Sequence, residues 1–216
     1  MTLVPFQTAA DAKAAVEPIR AHLAAGGLLA YPTETVYGLG SRAAADDVRA
    51  LAQLKGRPPG KPFLLLIGRQ TMADEAGLLF NDAARALAEA FWPGPLTLIL
   101  PGGTTLPASL RGPEGGVAVR WTSHGRLAWL IRELREPITS TSANRPGGPT
   151  APGPEGIVAT FGDAVAAGRL VVLDGGVLGN VPPSTLIDCT SPVPRLVREG
   201  ALPRSELQAR VGSFAP

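Results

Sequence analysis

The chain has 216 residues, of which 45% are hydrophobic and 18% charged, so it is long and apolar enough to bury a core and is excluded from the intrinsically disordered class. Its formal net charge of +2 permits an anionic ligand or RNA but requires neither, and no stripe of Lys and Arg marks a nucleic-acid-binding protein. A single cysteine excludes an intramolecular disulfide, and with no secretory signal pattern and no apolar run of membrane-span length the sequence predicts a cytoplasmic protein without membrane association.

Helical and strand patterns alternate along the chain. In the first half they predict a helix over 11–25 with Pro18 in its first turns or at a kink, a strand over 28–31, a helix capped by Asp46 or Asp47, a strand over 63–67, and a helix that Asn81 caps and that reaches Trp92. In the second half they predict strands over 96–100 and 117–120, a helix with the apolar face Leu127, Leu130, Ile131 and Leu134, and an apolar strand that ends at Thr139 before a polar loop. Strands over 170–173, 185–188 and 195–197 and a last helix from near Ser205 follow. This order predicts an α/β (α+β) fold around one mixed sheet, as a single domain over residues 1–216. The segment 145–156, rich in Pro and Gly, is predicted to be a loop.

The loop after the first predicted strand is polar, with the sequence PTETVYGLG at 32–40. Its hydroxyl groups can hold a small polar ligand, and its glycines let the backbone come close to that ligand. A turn that leads into a glycine-rich strand explains the same residues equally well.

A basic loop, KGRPPGKP, occupies residues 55–62 at the end of a predicted helix. Cations at this place relieve the helix dipole, which would be a purely structural role. The guanidinium of Arg57 and the ammonium groups of Lys55 and Lys61 also suit a phosphate clamp, and their chemistry favours this second interpretation.

Uncharged polar residues follow a later apolar segment, in the sequence STSAN at 140–144. Three hydroxyls and an amide can bind a ribose, a phosphate or a carboxylate, although a capping turn would use the same residues. Arg120 and Arg198 each close a short apolar strand, where an arginine can meet either a ligand carboxylate or a surface acid.

Several catalytic patterns are absent from the sequence. The two histidines and Cys189 have no metal-ligand spacing, which predicts no dedicated metal site. There is no nucleophile elbow, no Walker A loop and no strand-linked GxGxxG. The remaining cations, hydroxyls and amides suit the holding of anions better than general-base hydrolysis.

Six segments, taken in order, resemble the YrdC/Sua5 family: YPTETVYGLG at 31–40, LKGRPPGKP at 54–62, FWPGPLTLIL at 91–100, VAVRWTSH at 117–124, ITSTSANRPGG at 138–148, and PSTLID at 183–188 followed by LVREG at 196–200. The family signature, Lys-x-Arg followed far downstream by Ser-x-Asn, corresponds here to Lys55-x-Arg57 and Ser142-x-Asn144. The resemblance does not extend to the additional C-terminal domain of the longer Sua5 proteins, which predicts the short form.

The resemblance implies a twisted mixed sheet with flanking helices around a concave basic cavity. It also implies the family reaction, in which L-threonine, bicarbonate or CO2, and ATP give threonylcarbamoyl-AMP and pyrophosphate for the t6A modification of tRNA. A t6A ligase complex would accept the product, and the protein could itself bind tRNA. Mg2+ would enter with ATP, with no dedicated site on the protein.

The same resemblance implies roles for ten residues. The threonine-binding residues would be Thr33, Arg120 and Ser184, with the Arg120 guanidinium on the carboxylate. Lys55 and Arg57 would be the catalytic cations at the ATP phosphates, and the other ATP-binding residues would be Ser140, Thr141, Ser142, Asn144 and Arg198. The chain departs from many family members at Pro146, where a serine is common, and at Leu66, where a histidine is common.

Two other interpretations stay open. Carbamoyl-adenylate chemistry of the hydrogenase-maturation type uses a related domain, within longer chains that carry zinc-finger cysteines absent from this sequence. An RNA-binding or ribosome-assembly module could use the same basic cavity, and salt-sensitive RNA binding without threonine-dependent ATP turnover would identify it.

Overall fold

The computed structural model describes residues 2–58 and 60–215. Its strands are β1 (Leu3–Pro5), β2 (Leu28–Tyr31), β3 (Gly38–Gly40), β4 (Leu64–Ile67), β5 (Leu96–Leu100), β6 (Val117–Trp121), β7 (Ile138–Ser142), β8 (Leu170–Asp174), β9 (Thr185–Asp188) and β10 (Arg195–Arg198). Its α-helices are α1 (Ala9–Ala24), α2 (Ala45–Lys55), α3 (Thr71–Glu75), α4 (Asp82–Phe91), α5 (Gly125–Leu134), α6 (Pro154–Ala166) and α7 (Arg204–Val211), and a short 3-10 helix spans Ala108–Leu110.

The strands form one mixed sheet in the order β1-β8-β2-β3-β7-β4-β6-β5-β9-β10. The pairs β1·β8, β2·β8, β4·β6 and β5·β9 are parallel, and the other neighbours are antiparallel. The two strands of each parallel pair are separated in the chain by helices and by at least one other strand, which gives the long connection that parallel pairing needs. The predicted α/β fold around one mixed sheet is therefore confirmed.

A single hydrophobic core lies between the sheet and its helices. The central strands are almost entirely buried, and the predicted face of α5 is buried with them through Leu127, Leu130, Ile131 and Leu134. Strands β2 and β4 read as continuous apolar runs, which is why their positions could be predicted from the sequence, whereas β3 and β7 contain glycine or hydroxyl residues. The core gives the polar loops at the strand ends a rigid support.

Two glycines in the segment PTETVYGLG are required by close packing. A Cβ atom on Gly40 would lie 2.1 Å from the carbonyl oxygen of Thr139, and one on Gly38 would lie 2.6 Å from the ring of Tyr31. Only glycine lets β3 approach β7 and the tyrosine ring this closely. The glycines therefore place the polar loop before β3 directly against the centre of the sheet.

The start of α2 differs from the prediction. Ala44 is the N-cap and makes no side-chain capping bond, whereas Asp46 and Asp47 lie in the first turn. Acidic side chains there favour the positive end of the helix dipole, so the aspartates act by charge and not as caps. The helix ends one residue later than predicted, because Lys55, which was placed in the basic loop, is its last residue and Gly56 then adopts a left-handed conformation with φ 68°.

Two further predictions need correction. Ser140, Thr141 and Ser142 belong to strand β7, which was predicted to have ended before them. The segment 145–156 ends within a helix, because α6 begins at Pro154, a residue suited to the first turn.

Pro18 lies in the middle of α1, and so it is not in the first turns of that helix. Thr8 and Asp11 form a capping box that fixes the start of α1. Within the described residues, no helix is long and apolar enough to cross a membrane.

Candidate functional site

A cavity of about 540 Å3 opens on one face of the central strands. All ten residues to which the resemblance assigns roles line it: Thr33, Lys55, Arg57, Arg120, Ser140, Thr141, Ser142, Asn144, Ser184 and Arg198. They come from six separate segments, so the fold brings together what the sequence keeps far apart. Their individual roles remain predictions.

The alternation of side chains along the strands accounts for several of the lining residues, although Thr141, between two of them at the end of β7, lines the cavity as well. Ser140 and Ser142 are two residues apart on β7, as are Ala118 and Arg120 on β6, and all four line the cavity. Side chains at this spacing point to the same face of a sheet. Leu66 pairs with Arg120 across the strands and is fully buried, so the position where many relatives have a histidine is part of the core here.

The Lys55 ammonium is held by protein oxygen atoms from the segment 142–144. It donates to the carbonyl oxygens of Ser142 at 2.6 Å and Asn144 at 2.8 Å, and to Asn144 Oδ1 at 2.9 Å. An ammonium has three N–H donors, so these contacts use all of them. Lys55 therefore joins the end of α2 to the segment after β7 and thereby connects the two halves of the family signature.

Burial, together with the nearby Arg57 guanidinium, lowers the pKa of Lys55 from 10.5 to about 8. Between these two values the unfolded chain binds more protons at Lys55 than the folded chain does. The contribution of this group to the unfolding free energy should therefore increase as the pH rises from about 8 to about 10.

The test compares the unfolding free energies of the wild-type protein and Lys55→Met by urea denaturation. Because methionine does not titrate, we expect the difference, wild type minus variant, to be larger at about pH 10 than at about pH 7. An unchanged difference between the two proteins would show that the carbonyl contacts keep the ammonium charged across this range.

Arg57 is fixed by the loop that carries it. Its Nε donates to the Lys61 carbonyl at 2.7 Å, Nη2 to the Pro62 carbonyl at 2.6 Å, and Nη1 to Thr141 Oγ1 at 3.0 Å. The guanidinium also stacks over the Phe63 ring, 4.4 Å from its centre. Burial lowers the pKa of Arg57, and the side chain is held in place at the cavity wall. Pro59, in the same loop, lies outside the described residues.

The turn after β7 is closed by its own side chains. Ser142 Oγ donates to Asn144 Oδ1 at 2.6 Å, and Asn144 Nδ2 donates to the Gly148 carbonyl at 2.6 Å. Arg145 donates to the Leu54 carbonyl at 2.6 Å and stacks over Phe161. Arg145 thus gives the turn a second attachment to the end of α2.

At the other end of the cavity, Arg120 is 4% exposed and makes a single hydrogen bond within the described residues, from Nη1 to Thr35 Oγ1 at 3.1 Å. The nearest carboxylate oxygen, Glu34 Oε1, lies 3.8 Å from Nη1. Arg120 Nε and Glu34 Oε1 are both buried with no hydrogen-bond partner among the described residues. Arg120 therefore faces the cavity with donor capacity left for an anion.

Thr33 shapes the loop through its hydroxyl. This group donates to the Val36 carbonyl at 2.7 Å and accepts from the backbone N–H groups of Thr35 and Val36. It also contacts Thr35 Oγ1 at 3.0 Å. The Thr33 hydroxyl is thus engaged in a local turn, and a ligand would share it with these contacts.

Ser184 and Arg198 form the remaining wall. Ser184 Oγ lies 2.8 Å from Thr97 Oγ1, and Arg198 Nη2 donates to the Ser184 carbonyl at 2.7 Å. Burial, and then the charge of Arg120, lower the pKa of Arg198. Arg198 was predicted to bind ATP, yet it stands beside two residues predicted to bind threonine, so it lies where the two ends of the cavity meet.

Residues 21–200 match the Sua5/YciO/YrdC family, which is described as "Telomere recombination". The chain belongs to this family.

Two threonylcarbamoyl-AMP synthases and one solved structure are among the relatives of this family member. The synthase of Pyrococcus abyssi is 35% identical over 190 residues, which are 88% of this chain and 55% of that protein. The synthase of Thiobacillus denitrificans is 38% identical over 186 residues, 85% of this chain and 95% of that protein. The crystal structure of P. abyssi Sua5 complexed with L-threonine superposes with a TM-score of 0.87 at 31% identity, over 99% of this chain and 62% of that one. The chain thus spans little more than half the length of the P. abyssi protein.

The cavity of this Sua5/YciO/YrdC family member is positively charged. Five cationic side chains line it: Lys55, Arg57, Lys61, Arg120 and Arg198. Among the described residues, no Asp or Glu lines the cavity. The described residues also contain no cluster of His, Cys, Asp and Glu that could hold a metal ion. Cations surrounded by hydroxyls can bind anions and neutralise charge that develops on them.

Prediction from the sequence missed Thr35, Glu34 and Thr97 as parts of the site. Thr35 and Glu34 lie within the polar loop that was singled out, but no pattern indicates that they contact Arg120, which is 85 residues away from Thr35. Thr97 is a single polar residue in the otherwise apolar strand β5. A hydroxyl at such a buried position was the one feature of the sequence that could have indicated its place in the site.

Proposed function

We propose that this protein is an L-threonylcarbamoyladenylate synthase, a nucleotidyltransferase that converts L-threonine, bicarbonate or CO2, and ATP into threonylcarbamoyl-AMP and pyrophosphate. The observation that carries the proposal is that one basic cavity is lined by both halves of the family signature and by Arg120: Lys55, Arg57, Ser142, Asn144 and Arg120. The names of the relatives and the L-threonine in the P. abyssi Sua5 structure support the same assignment.

The cavity is proposed to have a threonine end and a nucleotide end. At the first, the Arg120 guanidinium would receive the amino-acid carboxylate, with Thr33 and Ser184 beside it. At the second, Arg57 would neutralise the phosphates, and the segment from Ser140 to Asn144 would hold the nucleotide. Lys55 would act there mainly by fixing that segment, since protein oxygens already use its donors.

The reaction needs positioning more than proton-transfer groups. The threonine amine adds to CO2 or bicarbonate and loses a proton, which gives a carbamate, with water as the second product from bicarbonate. A carbamate oxygen then attacks the α-phosphorus of ATP, and the bond to pyrophosphate breaks. Cations that hold both reactants in one cavity would supply the charge neutralisation and orientation for this step.

Mg2+ is proposed to enter as the ATP complex. The cavity offers hydroxyl, amide and carbonyl oxygens but no carboxylate among the described residues, and this fits a metal carried by the phosphates better than a site on the protein. When bound, the ion would neutralise phosphate charge. No residue of this chain is assigned to it.

The proposed context is tRNA modification in the cytoplasm. The product would pass to a t6A ligase complex for transfer to tRNA. The alternative, an RNA-binding module, is less well supported, because the relatives are named threonylcarbamoyl-AMP synthases and a related structure contains L-threonine.

The proposal is tested by pyrophosphate release from ATP with L-threonine and bicarbonate present, and with each omitted in turn. We expect release only when both are supplied. Equal release without L-threonine would refute the proposal, and salt-sensitive RNA binding without any turnover would favour the alternative.

A further inference from the structure

The hydroxyl of Thr35 is the sole hydrogen-bond acceptor that Arg120 finds within the described residues. Thr35 Oγ1 lies 3.0 Å from the Thr33 hydroxyl, which donates to the Val36 carbonyl and accepts from the backbone N–H groups of Thr35 and Val36. This local turn fixes the position of the Thr35 side chain, and Thr35 Oγ1 accepts from Arg120 Nη1 at 3.1 Å. The loop thus presents a fixed acceptor to the guanidinium.

Glu34 offers Arg120 a competing partner on the side away from the cavity. Arg120 lines the cavity, whereas Glu34 does not. Glu34 Oε2 accepts from Thr122 Oγ1 at 2.5 Å, which anchors the carboxylate, and Oε1 remains buried without a partner among the described residues. The 3.8 Å gap from Oε1 to Arg120 Nη1 would become a charge-assisted hydrogen bond if the guanidinium moved by about 1 Å.

We propose that Thr35 is a positioning residue that holds the Arg120 guanidinium toward the cavity and keeps its ion pair with Glu34 at 3.8 Å, too long for a direct hydrogen bond. This inference rests on the proposed function, in which Arg120 receives the amino-acid carboxylate. Two buried, complementary groups that are both short of partners attract each other strongly, because unpaired charge in the interior is unfavourable. Thr35 opposes this attraction by giving Nη1 an acceptor on the cavity side.

The arrangement leaves Arg120 ready to bind an anion. Nη1 is fixed by Thr35, Nη2 makes no hydrogen bond within the described residues, and the Arg120 residue lines the cavity. Glu34 partly compensates the charge of the guanidinium without using its donors. A carboxylate entering the cavity would therefore meet a guanidinium that is already oriented and still has donors available, which lowers the entropy lost on binding.

The experiment measures L-threonine and ATP binding separately, by calorimetry, for the wild-type protein, Thr35→Val, Thr35→Ser, Glu34→Gln and the double variant Thr35→Val/Glu34→Gln. Valine removes the hydroxyl at nearly constant volume, whereas serine keeps it. The amide oxygen introduced by Glu34→Gln would still accept from the Thr122 hydroxyl, but the neutral side chain would no longer attract Arg120 by charge. Thermal melting of each variant reports whether the fold is retained.

We expect Thr35→Val to weaken L-threonine binding about tenfold, as the loss of a hydrogen bond to a charged group predicts, and Thr35→Ser to restore it. Glu34→Gln should bind L-threonine about threefold more tightly, because the competing charge is gone. The double variant should recover much of the affinity lost in Thr35→Val, and this coupling is the feature that a purely structural role of Thr35 would not produce. ATP affinity should change little in all four variants.

Three results would overturn the inference alone: wild-type L-threonine affinity in Thr35→Val, equal affinities of Thr35→Val and the double variant, or weaker binding by Glu34→Gln. The measurement on Glu34→Gln tests the inference even if Thr35→Val fails to fold. Absence of L-threonine binding to the wild-type protein would instead overturn the proposed function, and this inference with it.

Discussion

Replacing Arg57 with alanine is expected to reduce turnover at least about tenfold while the protein stays folded. A charge-assisted hydrogen bond to a phosphate contributes about 1.5–3 kcal/mol, and about 1.4 kcal/mol corresponds to a tenfold change in rate. The guanidinium lies at the cavity wall, where three contacts to its own loop and to Thr141 hold it in place. The measurement is the rate of pyrophosphate release with saturating L-threonine and bicarbonate.

The matched control for Arg57→Ala is Arg49→Ala. Arg49 is an exposed arginine on α2 that pairs with Asp46 and does not line the cavity, so its removal should leave turnover unchanged. Wild-type turnover in Arg57→Ala, with an unchanged melting temperature, would mean that the basic loop only stabilises the end of α2. Lys55→Ala should also lower turnover, but with a lower melting temperature, because it releases the turn at Ser142 and Asn144.

Replacing Arg120 with lysine is expected to weaken L-threonine binding about tenfold and to change ATP binding much less. A lysine keeps the charge but cannot present the planar pair of donors that fits a carboxylate. Because Arg120 is only 4% exposed, the lost geometry should have a large effect. The measurement is a titration of each ligand into the variant, separately.

The control for Arg120→Lys is Arg132→Lys. Arg132 contacts the Gly68 carbonyl outside the cavity, so neither affinity should change. If Arg120→Lys instead lowered ATP affinity and spared L-threonine, the assignment of the two ends of the cavity would be wrong, even with the overall reaction intact.

The elements that form the core could be predicted from the sequence. Strands β2, β5 and β9 have the predicted bounds, and Asn81 caps α4 as predicted. These elements carry local signals: an apolar run between breakers, or a capping residue before an apolar face. The order of the strands in the sheet carries no such signal, because it depends on contacts between segments far apart in the chain.

The membership of the site was predictable through the ordered motifs, but its internal contacts were not. Nothing local indicates that the Lys55 ammonium binds oxygens of a segment 87 residues downstream. The same holds for the approach of Arg120 to Thr35 and Glu34, which depends on β6 and the loop before β3 facing each other across the sheet. Ser140 and Thr141 were placed in a loop because hydroxyl residues favour turns, and their pairing within β7 overrides that preference.

The central claim, the synthesis of threonylcarbamoyl-AMP, is tested most directly by detecting the product itself. The protein would be incubated with ATP, L-threonine and carbon-13-labelled bicarbonate, and the adenylates analysed by mass spectrometry. We expect an adenylate with the mass of threonylcarbamoyl-AMP that carries the label and is formed together with pyrophosphate. Formation of ADP and phosphate in place of an adenylate, or an adenylate without the label, would contradict the account.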